Sequence, residues 1–172
     1  MTVRTLLHTV GVATVTVSVL PILLGLISPK ARTPGLRAMW AWMIFGLAVN
    51  IVMWRMGRLG IKTTLFMQLT YPIYAMLGMH VVGKLTTSPT LRRWCNRVTA
   101  GYLLFWGWRF LSDEASRDFS LFTGPVLWIM LTVSVAAMIR VRLAEGPTDP
   151  LRDPVLTTGL AILLLYSPGA QQ

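Results

Sequence analysis

Acidic residues are scarce in this sequence: 6 of its 172 residues are Asp or Glu, and charged residues of both signs make up 13%. An ordinary soluble domain carries about 25% charged residues, so about half of the usual solvating groups are missing. By contrast, 54% of the residues are hydrophobic. This balance excludes a soluble globular enzyme, a disordered tail and a disulfide-stabilised secreted module. It indicates that the chain lies in lipid.

Residues that build metal centres and catalytic sites are also rare. Cys95 is the one cysteine, which excludes an intramolecular disulfide and a cysteine-based metal site. Two histidines, His8 and His80, are too few for a histidine metal site, and no H-E-x-x-H motif occurs. The sequence also lacks a nucleophile elbow and a glycine-rich phosphate loop. We therefore predict no catalytic residue, no metal and no resident cofactor.

Long uncharged segments make up most of the chain. A bilayer core about 30 Å thick is crossed by about 20 helical residues. Segments near or above this length separate the clusters of charge, and the last one ends at the C-terminus. The uncharged segments are 5–29, 38–54, 63–83, 119–139 and 154–172.

This pattern predicts an all-α fold: a polytopic transmembrane helical bundle forming a single integral membrane domain over 1–172. In the alternative, five helices cross and the C-terminal segment is short or re-entrant. The 94–112 helix requires Arg97 and Arg109 to extend their side chains toward the headgroups. Asp153, followed by Pro154, lies where the N-cap of the last helix is expected. The six predicted membrane helices are 9–28, 36–56, 63–84, 94–112, 119–139 and 154–166.

Basic residues dominate the charge: 16 Lys and Arg give a net charge of +10. They cluster between the apolar segments, which favours contacts with anionic lipid headgroups over a nucleic-acid surface. If six helices cross, the positive-inside rule places both termini outside, and we expect the cytoplasmic (inner) membrane of a bacterium. The expected headgroup contacts are Lys30, Arg32, Arg37, Arg92, Arg93, Arg97, Arg140 and Arg142.

Polar side chains inside the apolar segments are candidate site residues. Gln68 and Tyr71 share a helical face in 63–84, with Tyr74 beside it, and Asn50 follows Trp42 and Gly46 at steps of four. Hydrocarbon cannot satisfy the amides of Asn50 and Gln68, so both must face protein or water. We interpret these residues as interhelical packing contacts; the alternative is that they line a solute path.

His80 is a separate candidate. A neutral imidazole can ligate a haem iron or a chlorophyll-type magnesium. The plainer interpretation, which we prefer, is that His80 hydrogen-bonds near the membrane interface, four residues before Lys84.

Three functions remain open from the sequence. We favour a non-catalytic accessory subunit that packs against other integral membrane proteins and contacts their pigments or lipids. The alternative is a small-solute transporter or channel that uses the polar faces of 36–56 and 63–84. A membrane enzyme acting on a lipid or isoprenoid substrate ranks last, because no acid, metal cluster or nucleophile is present to do its chemistry.

Overall fold

The computed structural model of the chain describes residues 34–112 and 122–146, together with Asp153, Leu156 and Gly159. In this part of the chain four helices are present and no strand occurs, which confirms the all-α prediction there. The predicted helix 9–28 lies outside the described residues. So does 154–166, except for Leu156 and Gly159, which are both helical. The four helices are α1 (Pro34–Arg58), α2 (Thr64–Leu85), α3 (Pro89–Ser112) and α4 (Thr123–Ala144).

Three of these helices, α1, α2 and α4, are long and apolar enough to cross a membrane. The fourth, α3, contains the predicted span 94–112 but is not among them, because its four arginines and other polar residues make it less apolar than the other three helices. The described residues therefore support a helical membrane protein with three candidate spans. They do not confirm six.

Helix ends differ from the predicted ones for identifiable reasons. α3 begins five residues before the predicted start, because the Ser88 hydroxyl accepts a hydrogen bond from the Leu91 N–H at 3.3 Å and Pro89 fits the first helical position. α4 continues past 139 because an arginine does not end a helix. It ends before Gly146, whose φ of +67° is the left-handed conformation that commonly follows a helix.

The chain divides into two compact units, residues 1–63 and 64–172. In the first unit, α1 buries Gly35, Trp42, Gly46 and Val49. In the second, α2 contacts both α3 and α4, and α3 also contacts α4. α2 therefore supplies many of the most buried side chains, including Ala75 and Val81, both 0% exposed. The single domain over 1–172 stays a prediction.

Candidate functional site

Pro72 interrupts the hydrogen bonding of α2 and creates the first polar feature of the second unit. In an α-helix each N–H bonds to the carbonyl four residues earlier, and proline has no N–H to give. The carbonyl oxygen of Gln68 therefore cannot receive the usual bond from Pro72. Instead, the indole N–H of Trp106 on α3 donates to this oxygen at 3.0 Å. Because an unsatisfied carbonyl in apolar surroundings costs several kcal/mol, this bond ties α3 to α2.

The side chains around this bond are held in place by their neighbours. The Gln68 side chain is 2% exposed. The Trp106 ring stacks on Phe110, one turn further along α3, with ring centroids 5.0 Å apart. This stacking holds the indole in the orientation that the hydrogen bond needs.

Two tyrosines of α2 contact α4. Tyr71 lies against Gly124: a Cβ built on that glycine would be 3.1 Å from the tyrosine hydroxyl oxygen and 3.4 Å from Cζ. Gly124 therefore lets the aromatic ring approach the helix closely. Tyr74 lies beside Trp128, with ring centroids 6.1 Å apart and planes tilted by 53°, a favourable aromatic geometry.

A third tyrosine joins α3 to the start of α4. Tyr102 is 4% exposed, and its hydroxyl donates a hydrogen bond to the Thr123 carbonyl oxygen at 3.1 Å. Each pair among α2, α3 and α4 is thus linked by a polar or aromatic contact. We call these side chains the interhelical cluster: Gln68, Tyr71, Tyr74, Tyr102, Trp106 and Trp128.

The predicted packing residues divide between the two units. Gln68, Tyr71 and Tyr74 come together in the interhelical cluster, in the interior of the second unit. Asn50 lies on α1 in the first unit, and it is exposed. Each step of four residues turns about 40° around the helix axis, so Trp42, Gly46 and Asn50 do not stay on one face. Trp42 and Gly46 are buried, and the buried face continues through Val49.

His80 lies on the outer face of α2. It is exposed, and it follows exposed Leu69, Ile73 and Met76 along the same face. Among the residues that the structure describes, no group of three or more His, Cys, Asp or Glu side chains is placed to hold a metal ion. A role for His80 as a single axial ligand stays a prediction.

Most of the predicted headgroup contacts are exposed, but Arg142 is engaged within the protein. Its guanidinium donates to Glu145 at 2.6 Å and to Asp153 at 2.8 Å. The other predicted contacts with described positions are all exposed: Arg37, Arg92, Arg93, Arg97 and Arg140. Lys30 and Arg32 lie outside the described residues.

The ion pairs of Arg142 belong to a larger polar junction. The Thr87 hydroxyl donates to the Glu145 carboxylate, and Asp153 accepts a bond from the Leu156 N–H at 3.3 Å, as an N-cap does. Thr87 and then Arg142 lower the pKa of Glu145 below its ordinary value, because both donate hydrogen bonds to the charged form. The junction joins the turn between α2 and α3 to the end of α4.

At the opposite end of the second unit, Arg109 lies beside two aromatic rings. Its guanidinium carbon lies 4.8 Å from the centre of the Phe122 ring and 5.8 Å from that of Trp108. Phe122 directly precedes α4, so this contact joins the end of α3 to the start of α4.

Comparison with known proteins adds no relative: no family model, no curated protein and no solved structure matches the chain. The site must be interpreted from its own chemistry.

Sequence reasoning missed half of the interhelical cluster. Tyr102, Trp106 and Trp128 were not among the candidate site residues predicted from the sequence. Pro72 was the available clue, since a proline within a helix indicates a carbonyl that needs another donor. Which side chain supplies that donor depends on the register of α3 against α2.

Proposed function

We propose that this chain is a non-catalytic integral membrane protein that serves as an accessory subunit of a larger membrane complex. In this role its helices pack against other integral proteins and contact their lipids or pigments. Two features support the proposal. The buried polar residues of the second unit bond to or pack against neighbouring helices, and α1 carries an exposed amide.

The side chains of the interhelical cluster bond to or pack against neighbouring helices of the same chain. The Gln68 carbonyl accepts from Trp106, Tyr71 fills the space over Gly124, and Tyr74 packs on Trp128. Contacts of this kind stabilise membrane bundles without any ligand, by about 0.6 kcal/mol each on average. They favour structural packing over a solute path along α2.

Asn50 is the observation that carries the proposal of a partner. It is exposed on a helix apolar enough to cross a membrane, and exposed Ile51 follows it directly. No side-chain hydrogen bond of Asn50 is present among the described residues. Because lipid tails cannot satisfy an amide, we infer that Asn50 meets a polar group of another protein.

The proposal includes the finer membrane topology. Six helices cross, or five with a short or re-entrant C-terminal segment, and α3 is one of those that cross. The C-terminal end of α2, the N-terminal end of α3 and the C-terminal end of α4 lie together, and they carry most of the basic residues of the second unit. By the positive-inside rule this end faces the cytoplasm of a bacterium, with both termini outside if six helices cross.

The experiment is purification of the tagged full chain from its native membranes in a mild detergent, followed by native electrophoresis and mass spectrometry of the associated chains. We expect a stoichiometric partner that is lost in Asn50→Leu and kept in Ile51→Leu, which also places leucine on the exposed part of α1. A wild-type chain that emerges as a clean monomer contradicts the proposal. The transporter alternative would be established instead if the chain carried a solute flux in vesicles and Asn50→Leu or Gln68→Leu abolished that flux.

A further inference from the structure

The outer face of α2 changes character along its length. Going along this face in steps of three or four residues, four exposed apolar side chains are followed by two exposed basic ones. The change falls between Met76 and His80, although α2 continues to Leu85. The side chains of this face are Leu65, Leu69, Ile73, Met76, His80 and Lys84.

The exposed surface of α3 changes in the same way. Leu104, Trp108 and Leu111 are exposed in its second half, at 77%, 64% and 86%. In its first half the exposed residues include Arg93 and Arg97. The change from basic to apolar therefore falls at Arg97.

Two hydrogen bonds show which residues of these antiparallel helices lie at the same level. Trp106 bonds to the Gln68 carbonyl at one end, and Arg92 Nε donates to the Gly83 carbonyl at 3.0 Å at the other. This register sets Arg97 level with the segment between Met76 and His80. The two helices thus change from apolar to basic at one common level, which is expected where hydrocarbon ends and headgroups begin.

The thickness of the apolar band agrees with this boundary. Arg97 and Arg109 are twelve residues apart on α3, a rise of about 18 Å. A hydrocarbon core is roughly 30 Å thick, and the two arginine side chains supply the rest when they extend toward the headgroups. Arg109 lies 4.8 Å from the centre of the Phe122 ring, next to the start of α4.

The cations above this boundary have no carboxylate partners among the described residues. We call them the basic end: Lys84, Arg92, Arg93, Arg97 and Arg140. All five are exposed, and Arg92 uses one of its N–H donors on Gly83. The acids nearby, Glu145 and Asp153, are both bound to Arg142. Their negative charge is therefore directed to Arg142 and not to the basic end.

We propose that the basic end binds the headgroups of anionic phospholipids, and that the hydrocarbon boundary crosses the second unit at Arg97 and between Met76 and His80. The ligand chemistry is a phosphodiester with net negative charge in the surrounding bilayer, such as phosphatidylglycerol. Arg142 takes no part, because its charge is already neutralised. This inference rests on the proposed membrane topology but not on the role as an accessory subunit.

The binding test uses the full chain in neutral detergent, titrated with dioleoylphosphatidylglycerol or dioleoylphosphatidylcholine and analysed by native mass spectrometry. A cation near an anionic surface contributes about fivefold in affinity. We therefore expect Arg93→Gln/Arg97→Gln to bind phosphatidylglycerol about 25-fold more weakly, with phosphatidylcholine binding unchanged. Arg93→Lys/Arg97→Lys keeps the charge and should retain binding.

The matched control is Arg55→Gln/Arg58→Gln, which removes two exposed cations of α1 and should leave the lipid preference unchanged. An equal loss in both double variants, or no loss in either, overturns the proposal. Circular dichroism checks that each variant is folded. If Arg93→Gln/Arg97→Gln does not fold, the single variants provide the comparison, each with an expected loss of about fivefold.

The boundary is tested separately by cysteine labelling in a Cys95→Ser background. The protein is reconstituted in nanodiscs of phosphatidylcholine and phosphatidylglycerol and treated with a membrane-impermeant maleimide. His80→Cys should react and Met76→Cys should not. Equal reaction at the two positions contradicts the boundary. A monomer from native membranes would contradict the accessory role alone, since neither of these assays depends on a partner.

Discussion

The indole N–H of Trp106 on α3 donates to the backbone carbonyl of Gln68 on α2, at the position from which Pro72 removes the usual helical donor. A local defect in one helix is thus repaired by a side chain of the next. On a water-exposed helix such a carbonyl would be hydrated, but in a membrane only another protein group can satisfy it. The proline and the tryptophan therefore form one structural device that joins the two helices.

This pairing predicts that substitutions of Trp106 and Pro72 have non-additive effects on the free energy of unfolding. Trp106→Phe keeps an aromatic ring but removes the donor, and it should lower the free energy of unfolding by about 1–3 kcal/mol. Pro72→Ala restores the helical N–H, so the same change in a Pro72→Ala background should cost much less. The measurement is reversible unfolding in mixed detergent micelles. Trp108→Phe, at a 64% exposed position, is the control and should have little effect. Equal losses of unfolding free energy in the wild-type and Pro72→Ala backgrounds would contradict this pairing.

Gly159 should not tolerate a larger side chain. It is buried, and a Cβ added to it would lie 2.9 Å from Cγ1 of Ile139 and 3.2 Å from Cε of Met138 on α4. Overpacking of this kind typically costs 1–3 kcal/mol, so Gly159→Ala should lower the melting temperature in detergent. Gly101→Ala is the matched control: nothing lies within 4 Å of its added Cβ, and it should stabilise α3 slightly. A neutral Gly159→Ala would show that this contact is not tight.

Asp153 has two roles that two substitutions can separate. Asp153→Asn loses the charge beside Arg142 but keeps an oxygen to accept from the Leu156 N–H, whereas Asp153→Ala loses both. We expect Asp153→Ala to be less stable than Asp153→Asn by about 1 kcal/mol, the usual contribution of an N-cap. Chemical unfolding monitored by circular dichroism measures the difference. Equal stability of the two variants would argue against the cap.

The junction at Glu145 predicts a pH dependence. Its pKa is lowered first by the Thr87 hydroxyl and then by Arg142, so folding favours the charged carboxylate. The resulting stability is fully present above the pKa of the unfolded chain and is lost as the pH falls through the lower pKa of the folded protein. Thr87→Val should raise the pKa of Glu145 toward its ordinary value, as measured by NMR titration of the labelled carboxyl. An unchanged pKa would contradict the contact.

Much of the helical architecture followed from the sequence. Uncharged segments of membrane length predicted the helices at 36–56 and 63–84 to within two residues at each end. Helix ends that were predicted from the positions of charged residues were less accurate. Four of those residues lie within helices: Arg92, Arg93, Arg140 and Arg142. The N-cap at Asp153 was predicted and is confirmed by its bond to the Leu156 N–H.

The candidate site was predictable only in part. Gln68, Tyr71 and Tyr74 could be placed on or beside one face of a helix, because helical periodicity depends on sequence spacing alone. Their partners could not be assigned, since Trp106, Gly124 and Trp128 lie on other helices. Asn50 shows the limit within a single helix: steps of four drift around the axis, and its stripe leaves the buried face.

The sequence by itself predicted helices and segments apolar enough to cross a membrane, because apolar length and the segregation of charge depend only on the order of residues. Only the tertiary structure decided which polar groups are bonded within the protein and which are exposed. Arg142 and Arg140 are two residues apart, yet one is held by two carboxylates and the other is exposed. Glu145 is three residues from Arg142 along the chain, but Asp153 is eleven residues away, and its approach to Arg142 depends on the tertiary structure, which no local pattern encodes.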